Sequence, residues 1–183
     1  MPLEWNQQKD EVRKAFLDQK AELVTLPKGM KLWKLTAYKP SKNPNIHRFT
    51  TPITPWWSNC DPFKDDKRGV KGVFKDAEAA SKLFLAYVRD RSAVTLEWNR
   101  LTYYMETSLV NPKEAFWGKY APQPVSKNEK YQTLYDGVYY PEFLGGWPDA
   151  FQLYIPNLQT ADMTPPEWFS STDNKALKAH FGI

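Results

Sequence analysis

The chain has 183 residues, which suits one domain, and 42% of them are hydrophobic, which excludes a disordered composition. No apolar run approaches the roughly 20 residues that span a bilayer, and the charged N-terminus lacks the apolar stretch of a signal peptide. The net charge of +4 is uneven, since residues 1–100 carry 19 basic and 12 acidic side chains and residues 101–183 carry 6 and 9. We therefore expect one domain, spanning residues 1–183, with no membrane segment.

The first half of the chain predicts a helix followed by strands. Apolar side chains at heptad-like spacing predict an amphipathic helix over residues 4–25, packed on the rest of the domain. Residues 30–38 predict a strand with Trp33 and Leu35 on one face and Lys34 on the other. The proline-containing residues 48–58 predict an edge strand or extended segment, and residues 59–74 predict a polar loop.

The second half predicts two helices, a strand-rich stretch and two short helices. The first helix runs from Asp76 to about Arg91, and Ser92 caps a second one that continues to Leu109. The clearest later strand is Phe151–Ile155. The helix-start pattern at residues 164–167 and a last helix at about 173–180 follow. Strands that are grouped, and do not alternate with helices, indicate an α+β fold.

Cysteine and histidine are too scarce for several kinds of site. Cys60 is the only cysteine, which excludes an internal disulfide and fits a reducing compartment; we interpret it as a buried small hydrophobe. The two histidines, His47 and His180, are too few for a zinc site of His and Cys, and we expect no metal site. The sequence also lacks a glycine-rich phosphate loop and a nucleophile elbow.

Positive charge and aromatic rings are the unusual features of the composition. There is no acidic residue between Glu22 and Asp61, and this interval contains six basic ones. Such a stretch is commonly a solvated surface, but it also attracts phosphate-bearing ligands. The chain has eight tryptophans, and adjacent rings such as Trp56-Trp57 and Tyr103-Tyr104 cannot both point inward. Some of these rings are therefore expected to line a surface or cleft.

One set of residues suits the binding of a dinucleotide. It combines a cation, a hydroxyl, an aromatic ring and neutral amides, at Lys34, Trp57, Ser58, Gln123 (in a loop with Trp117-Gly118), Gln152 and Tyr154. The cation pairs with phosphate, the ring stacks on a nicotinamide or adenine, and an amide hydrogen-bonds a ribose hydroxyl. Gln152 and Tyr154 share one face of the late strand, which is alternatively just its solvent face.

The segments LWKL, TPWWS and GGWPDAFQLY together resemble the ADP-ribosyltransferase-like fold of bacterial toxins, a group that includes NAD-hydrolysing effectors similar to the tuberculosis necrotizing toxin. The resemblance implies two small mixed or antiparallel sheets that form a cleft with helices packed around it. It also implies that NAD is the substrate and that Gln152 and Tyr154 stand at the catalytic positions. Lys34 corresponds to the family's first-strand Arg or His, and Ser58 to its serine.

A departure from the family favours NAD hydrolysis over transfer to a protein. Transferring members have a Gln/Glu-x-Glu pair, whereas this chain has Tyr154 at the second position. A carboxylate from Glu142 or Asp149 could replace the missing Glu, so transferase activity remains an alternative. The resemblance further implies cytoplasmic action after delivery by a specialised secretion system, with an immunity protein and a macromolecular acceptor as partners. A nucleic-acid-binding or RNA-cleaving toxin and a non-catalytic interaction protein stay as alternatives.

Overall fold

The computed structural model describes residues 3–37, 54–59, 80–98, 100–126, 140, 142–145 and 150–181. Their α-helices are Asp10–Lys14, Ala80–Arg91 and Asn174–Phe181. Their strands are β1 Glu22–Leu26, β2 Lys31–Thr36, β3 Trp56–Trp57, β4 Tyr103–Ser108, β5 Lys113–Lys119, β6 Gln123–Pro124, β7 Phe143–Leu144, β8 Phe151–Tyr154 and β9 Glu167–Ser170. This confirms the α+β class, with antiparallel sheets and few helices. No helix in these ranges is long and apolar enough to cross a membrane.

Two larger sheets meet at one backbone bridge. The four-stranded sheet has the order β1-β5-β8-β3, the three-stranded sheet has the order β2-β4-β9, and β6 pairs with β7. Trp33 on β2 and Ser58, directly after β3, exchange backbone hydrogen bonds of 2.9 and 3.0 Å. This bridge places the strand that carries Lys34 beside the segment that carries Trp57 and Ser58.

The three-stranded sheet is buried on both faces. Leu32 and Met105 pack with Trp57 and Leu153 of the four-stranded sheet in one core cluster. On the opposite face, side chains of β2 and β4 pack against the helices Ala80–Arg91 and Asn174–Phe181 in a second cluster. Burial on both faces explains why the adjacent residues Leu32 and Trp33 of β2 are both apolar.

The predicted helix over residues 4–25 is wrong. The segment contains only short helical turns, and the chain then extends as β1, paired along its whole length with β5. Asp18 and Gln19 have φ angles of 54° and 55°, which an α-helix does not tolerate. Of the apolar residues at heptad-like spacing, Val12 and Phe16 are nevertheless buried, whereas Leu23 is 46% exposed.

The predicted second helix over residues 92–109 is also wrong. The preceding helix ends at Arg91, and Ala93 has a φ of 50°. The buried Arg89 guanidinium donates to the carbonyl oxygens of Val94 and Thr95 at 3.0 and 2.9 Å, which fixes the turn after the helix. Of the apolar residues that gave the helical spacing, only Met105 lies in β4; Val94, Trp98 and Leu101 precede that strand and Leu109 follows it.

The helix-start pattern at residues 164–167 instead precedes β9. The Thr164 hydroxyl accepts a hydrogen bond from the Ser108 amide at 3.0 Å, so it binds a neighbouring strand and caps no helix. The predicted last helix is confirmed as Asn174–Phe181, with the Asp173 carboxylate accepting from the Ala176 amide at 2.9 Å.

The remaining predicted elements are confirmed as far as the described ranges reach. The strand over 30–38 is β2, the strand over 151–155 is β8, and the extended segment ends in the edge strand β3. The helix before Arg91 is seen from Ala80 onward. Three predictions lie outside the described residues: the cap at Asp76, the environment of Cys60 and most of the loop 59–74.

Candidate functional site: an aromatic cleft

A cleft of about 480 Å³ lies where β2, β3 and β8 approach the helix Asp10–Lys14 and the turn after Arg91. Small-molecule sites occupy about 300–1,000 Å³, so this cleft is large enough for a ligand. Its aromatic walls are Trp33, Trp56, Trp57, Trp98 and Tyr120. Its charged and polar side chains are Glu11, Lys34, Thr54, Ser58, Ser92 and Gln152. The cleft is therefore mainly apolar, with a few polar groups directed into it.

Four of the six predicted site residues line this cleft: Lys34, Trp57, Ser58 and Gln152. They come from three segments that are distant in sequence. The Trp33–Ser58 bridge joins the first two segments, and β3 pairs with β8 to bring in the third. Antiparallel pairing thus brings these four residues together in one cleft.

Gln152 joins the late strand to the N-terminal segment. Its side chain is only 5% exposed, and Nε2 donates to the Ala15 carbonyl at 2.6 Å. An amide has a second N–H and an acceptor oxygen, and neither bonds another of the described residues. Gln152 is therefore anchored by one hydrogen bond, and its second N–H and its amide oxygen can bond a ligand.

The Ser58 hydroxyl lies beside a second hydroxyl. Ser58 Oγ is 3.3 Å from the phenol oxygen of Tyr120, and both residues line the cleft. The Ser58 backbone is held by the bridge to Trp33, so the position of its side chain is fixed by the sheet. This hydroxyl pair can orient an amide or hydroxyl of a ligand.

Trp57 forms the floor of the cleft. The residue is 2% exposed, its indole nitrogen donates to the Thr54 carbonyl at 3.1 Å, and Lys34 Nζ lies 4.1 Å from its ring centroid. An open stacking surface is provided instead by Trp98, which is 54% exposed. Sequence reasoning missed Trp98 because its spacing placed it on the apolar stripe of the wrongly predicted helix.

Lys34 is a half-buried amine without an ion-pair partner among the described residues. Its Nζ donates to Thr54 Oγ1 at 2.8 Å and lies over the Trp57 ring. Burial disfavours the charged form and lowers the pKa of Lys34 from 10.5 to about 7. The ammonium and the neutral amine are therefore both populated near neutral pH.

The lowered pKa predicts a pH-dependent gain in stability for Lys34→Met. Between pH 7 and 10.5 the unfolded chain binds more protons at Lys34 than the folded protein does, so the free energy of unfolding rises with pH in this window. The destabilisation caused by burying the lysine is therefore complete below pH 7 and becomes smaller as pH rises. We expect the free energy of unfolding of Lys34→Met to exceed that of the wild type by about 1–3 kcal/mol at pH 6. At pH 9 the difference should be less than half as large.

Thermal and urea unfolding at both pH values measure this difference. The matched control is Lys31→Met on the same strand, because Lys31 is exposed and pairs with Glu106 at 2.8 Å. This control should lose a little stability at both pH values. A gain for Lys34→Met that is the same at pH 6 and pH 9 contradicts the burial of its charge.

The other two predicted site residues do not line the cleft. Tyr154 packs against Trp56 with a centroid distance of 4.8 Å, and burial raises the pKa of its phenol. Gln123 pairs with Leu144 in the two-stranded sheet. Gly118, predicted with Gln123 in a loop, lies instead within β5. Tyr154 thus supports a cleft residue, and Gln123 stands apart from the site.

The carboxylate at the cleft is one that the sequence did not indicate. Glu142 is exposed and does not line the cleft, and Asp149 lies outside the described residues. Glu11, on the helix Asp10–Lys14, does line it. The position of Glu11 at the cleft follows from the way the N-terminal segment packs across β8. The sequence did not indicate it, because an acidic residue on an amphipathic helix ordinarily faces solvent.

A second polar cluster has a structural role. Glu106 accepts hydrogen bonds from Lys31 at 2.8 Å and Tyr104 at 3.1 Å, and lies 3.3 Å from His180 of the last helix. Burial raises the pKa of Glu106, but the hydrogen bond and charge of Lys31 outweigh it, and the net pKa is lowered. The cluster connects the last helix to β2 and β4. Among the described residues, no group of three His, Cys, Asp or Glu side chains could hold a metal ion.

The fold and the cleft together define an α+β protein with antiparallel sheets and an aromatic, ligand-sized site between them. No protein-family model matches the chain, and no curated protein or solved structure matches it.

Proposed function

We propose that this protein is an NAD-consuming enzyme that cleaves the nicotinamide–ribose bond in the aromatic cleft. The observation that carries the proposal is the convergence of Lys34, Ser58 and Gln152 with indole rings in one cleft. A cation, a hydroxyl, a neutral amide and aromatic faces match the phosphate, carboxamide, ribose and flat rings of a dinucleotide.

Each of these residues receives one role. The free oxygen of Gln152 accepts a hydrogen bond from a hydroxyl of the nicotinamide ribose. The Lys34 ammonium contacts phosphate or ribose. Trp57 and Ser58 hold the nicotinamide, and the exposed ring of Trp98 supplies the stacking face that Trp57 lacks.

The reaction demands little acid–base chemistry. Nicotinamide is a neutral leaving group, and its departure places positive charge on the ribose. The Glu11 carboxylate, on the cleft wall, is suited to stabilise this charge. Water as the acceptor gives hydrolysis, and a macromolecular nucleophile gives ADP-ribosyl transfer.

The antiparallel sheets and the cleft between them support an ADP-ribosyltransferase-like fold for the chain. With that fold, the biological role we propose is that of a bacterial effector toxin that depletes NAD in the cytoplasm of a target cell. An immunity protein that covers the cleft would protect the producing cell.

Nicotinamide release from NAD tests the proposal. Purified protein is incubated with NAD, with and without cell extract, and free nicotinamide and ADP-ribose are quantified by chromatography. Release is expected, with kcat/KM falling as pH rises above about 7, because Lys34 then loses the charge that contacts phosphate. If no nicotinamide appears under either condition, the proposed activity is overturned.

A further inference from the structure

The amine of Lys34 lies in an environment that suits a reactive nucleophile. It faces a cleft lined by indole rings and aliphatic side chains, and its recorded partners among the described residues are the Thr54 hydroxyl and the Trp57 ring. Glu11 also lines the cleft but forms no ion pair with it. Among the described residues, no carboxylate pairs with this lysine to keep it charged.

We propose that Lys34 forms an imine with a carbonyl ligand, and that the cleft selects an aldehyde carried on a planar aromatic body. This inference does not rest on NAD cleavage, since it requires only the amine and the cleft. It goes beyond the proposed function by assigning a covalent role to Lys34.

The neutral amine is the form that reacts. Burial lowers the pKa of Lys34 to about 7, so a large fraction carries a lone pair at neutral pH, whereas an exposed lysine carries almost none. One N–H of the neutral amine can still donate to Thr54 Oγ1, 2.8 Å away, which fixes the nitrogen while the lone pair stays available.

The surroundings of the amine select the body of the ligand. Trp57 lies beneath Nζ, and Trp98 offers a half-exposed ring at the same cleft. A flat aromatic group can stack on the exposed Trp98 ring, which favours a ligand whose aromatic body lies in the cleft beside the amine. A small aliphatic aldehyde gains no such contact.

The covalent step balances without any further reagent. The lone pair of Nζ attacks the carbonyl carbon, a C–N bond forms, and the carbonyl π electrons move to oxygen. A proton passes from nitrogen to that oxygen and gives a carbinolamine. Loss of water then leaves the imine, so that the products are the Schiff base and one water molecule.

Reductive trapping tests this proposal on the unmodified protein. The protein is incubated at pH 7 with 2-naphthaldehyde and cyanoborohydride, and separately with acetaldehyde, and modified lysines are quantified by peptide mass spectrometry. Lys31, exposed on the same strand and paired with Glu106, is the internal control. We expect naphthaldehyde to label Lys34 about tenfold or more faster than Lys31, and acetaldehyde to show a smaller ratio.

Equal labelling of Lys34 and Lys31 by naphthaldehyde overturns the proposal, as does an equal Lys34-to-Lys31 ratio for the two aldehydes. A variant, Trp98→Ala, should reduce the ratio of Lys34 to Lys31 labelling by naphthaldehyde while leaving the labelling by acetaldehyde unchanged. The outcome is independent of the NAD assay, which measures nicotinamide with no aldehyde present. A failure of either proposal is therefore distinguishable from a failure of the other.

Discussion

Gln152→Ala is expected to lower nicotinamide release from NAD about 100-fold. The wild-type side chain is almost fully buried at the cleft, and one hydrogen bond of 2.6 Å to the Ala15 carbonyl fixes its direction. Its free oxygen can then hold a ribose hydroxyl at a set position. Alanine removes that contact, and the loss should appear mainly in kcat if the contact strengthens as the ribose becomes charged.

The control variant for this experiment is Gln123→Ala. Gln123 is also a glutamine on a strand, but it pairs with Leu144 away from the cleft, so its replacement should leave the rate unchanged. Because Gln152→Ala also removes a hydrogen bond to the N-terminal segment, a loss of about 1 kcal/mol of unfolding free energy is expected beside the kinetic effect. Undiminished release by a folded Gln152→Ala variant would falsify our placement of the site.

Gly118→Val is expected to destabilise the protein by about 3 kcal/mol. A Cβ atom at Gly118 would lie 2.7 Å from the Lys20 carbonyl oxygen and 2.8 Å from a ring carbon of Phe16. One of these neighbours is backbone, so the N-terminal segment would have to move away from β5. The melting temperature should fall by roughly 6–12 °C, measured by circular dichroism.

Displacement of this segment should also damage the cleft. The segment contributes Val12 and Ala15 to the cleft wall, and Gln152, opposite Gly118 in the sheet, donates to the Ala15 carbonyl. The matched control is Glu114→Val, which places the same side chain at an exposed position of the same strand and should change stability by less than about 0.5 kcal/mol. Equal stability of the two variants would show that the close approach is not required.

Local sequence patterns were sufficient for two helices and for the strands β2 and β8. The helix that ends at Arg91 and the last helix are short local units with recognisable helical composition, and both are confirmed. The patterns misled at β4 and at β1. The apolar spacing from Val94 to Leu109 runs through a turn into β4, where only Met105 of the spaced residues lies. In β1, pairing with β5 overrides the helical periodicity.

The sequence by itself predicted the α+β class, which the structure confirms, and named four residues that line the cleft: Lys34, Trp57, Ser58 and Gln152. It could name them because their side chains combine a cation, an aromatic ring, a hydroxyl and an amide, the groups that bind a dinucleotide. The tertiary structure alone decided that Glu11 and Trp98 join them and that Tyr154 and Gln123 do not. It also decided that Lys34 is a desolvated amine with a pKa near 7, since burial depends on the segments that pack over the amine and not on its neighbours in sequence.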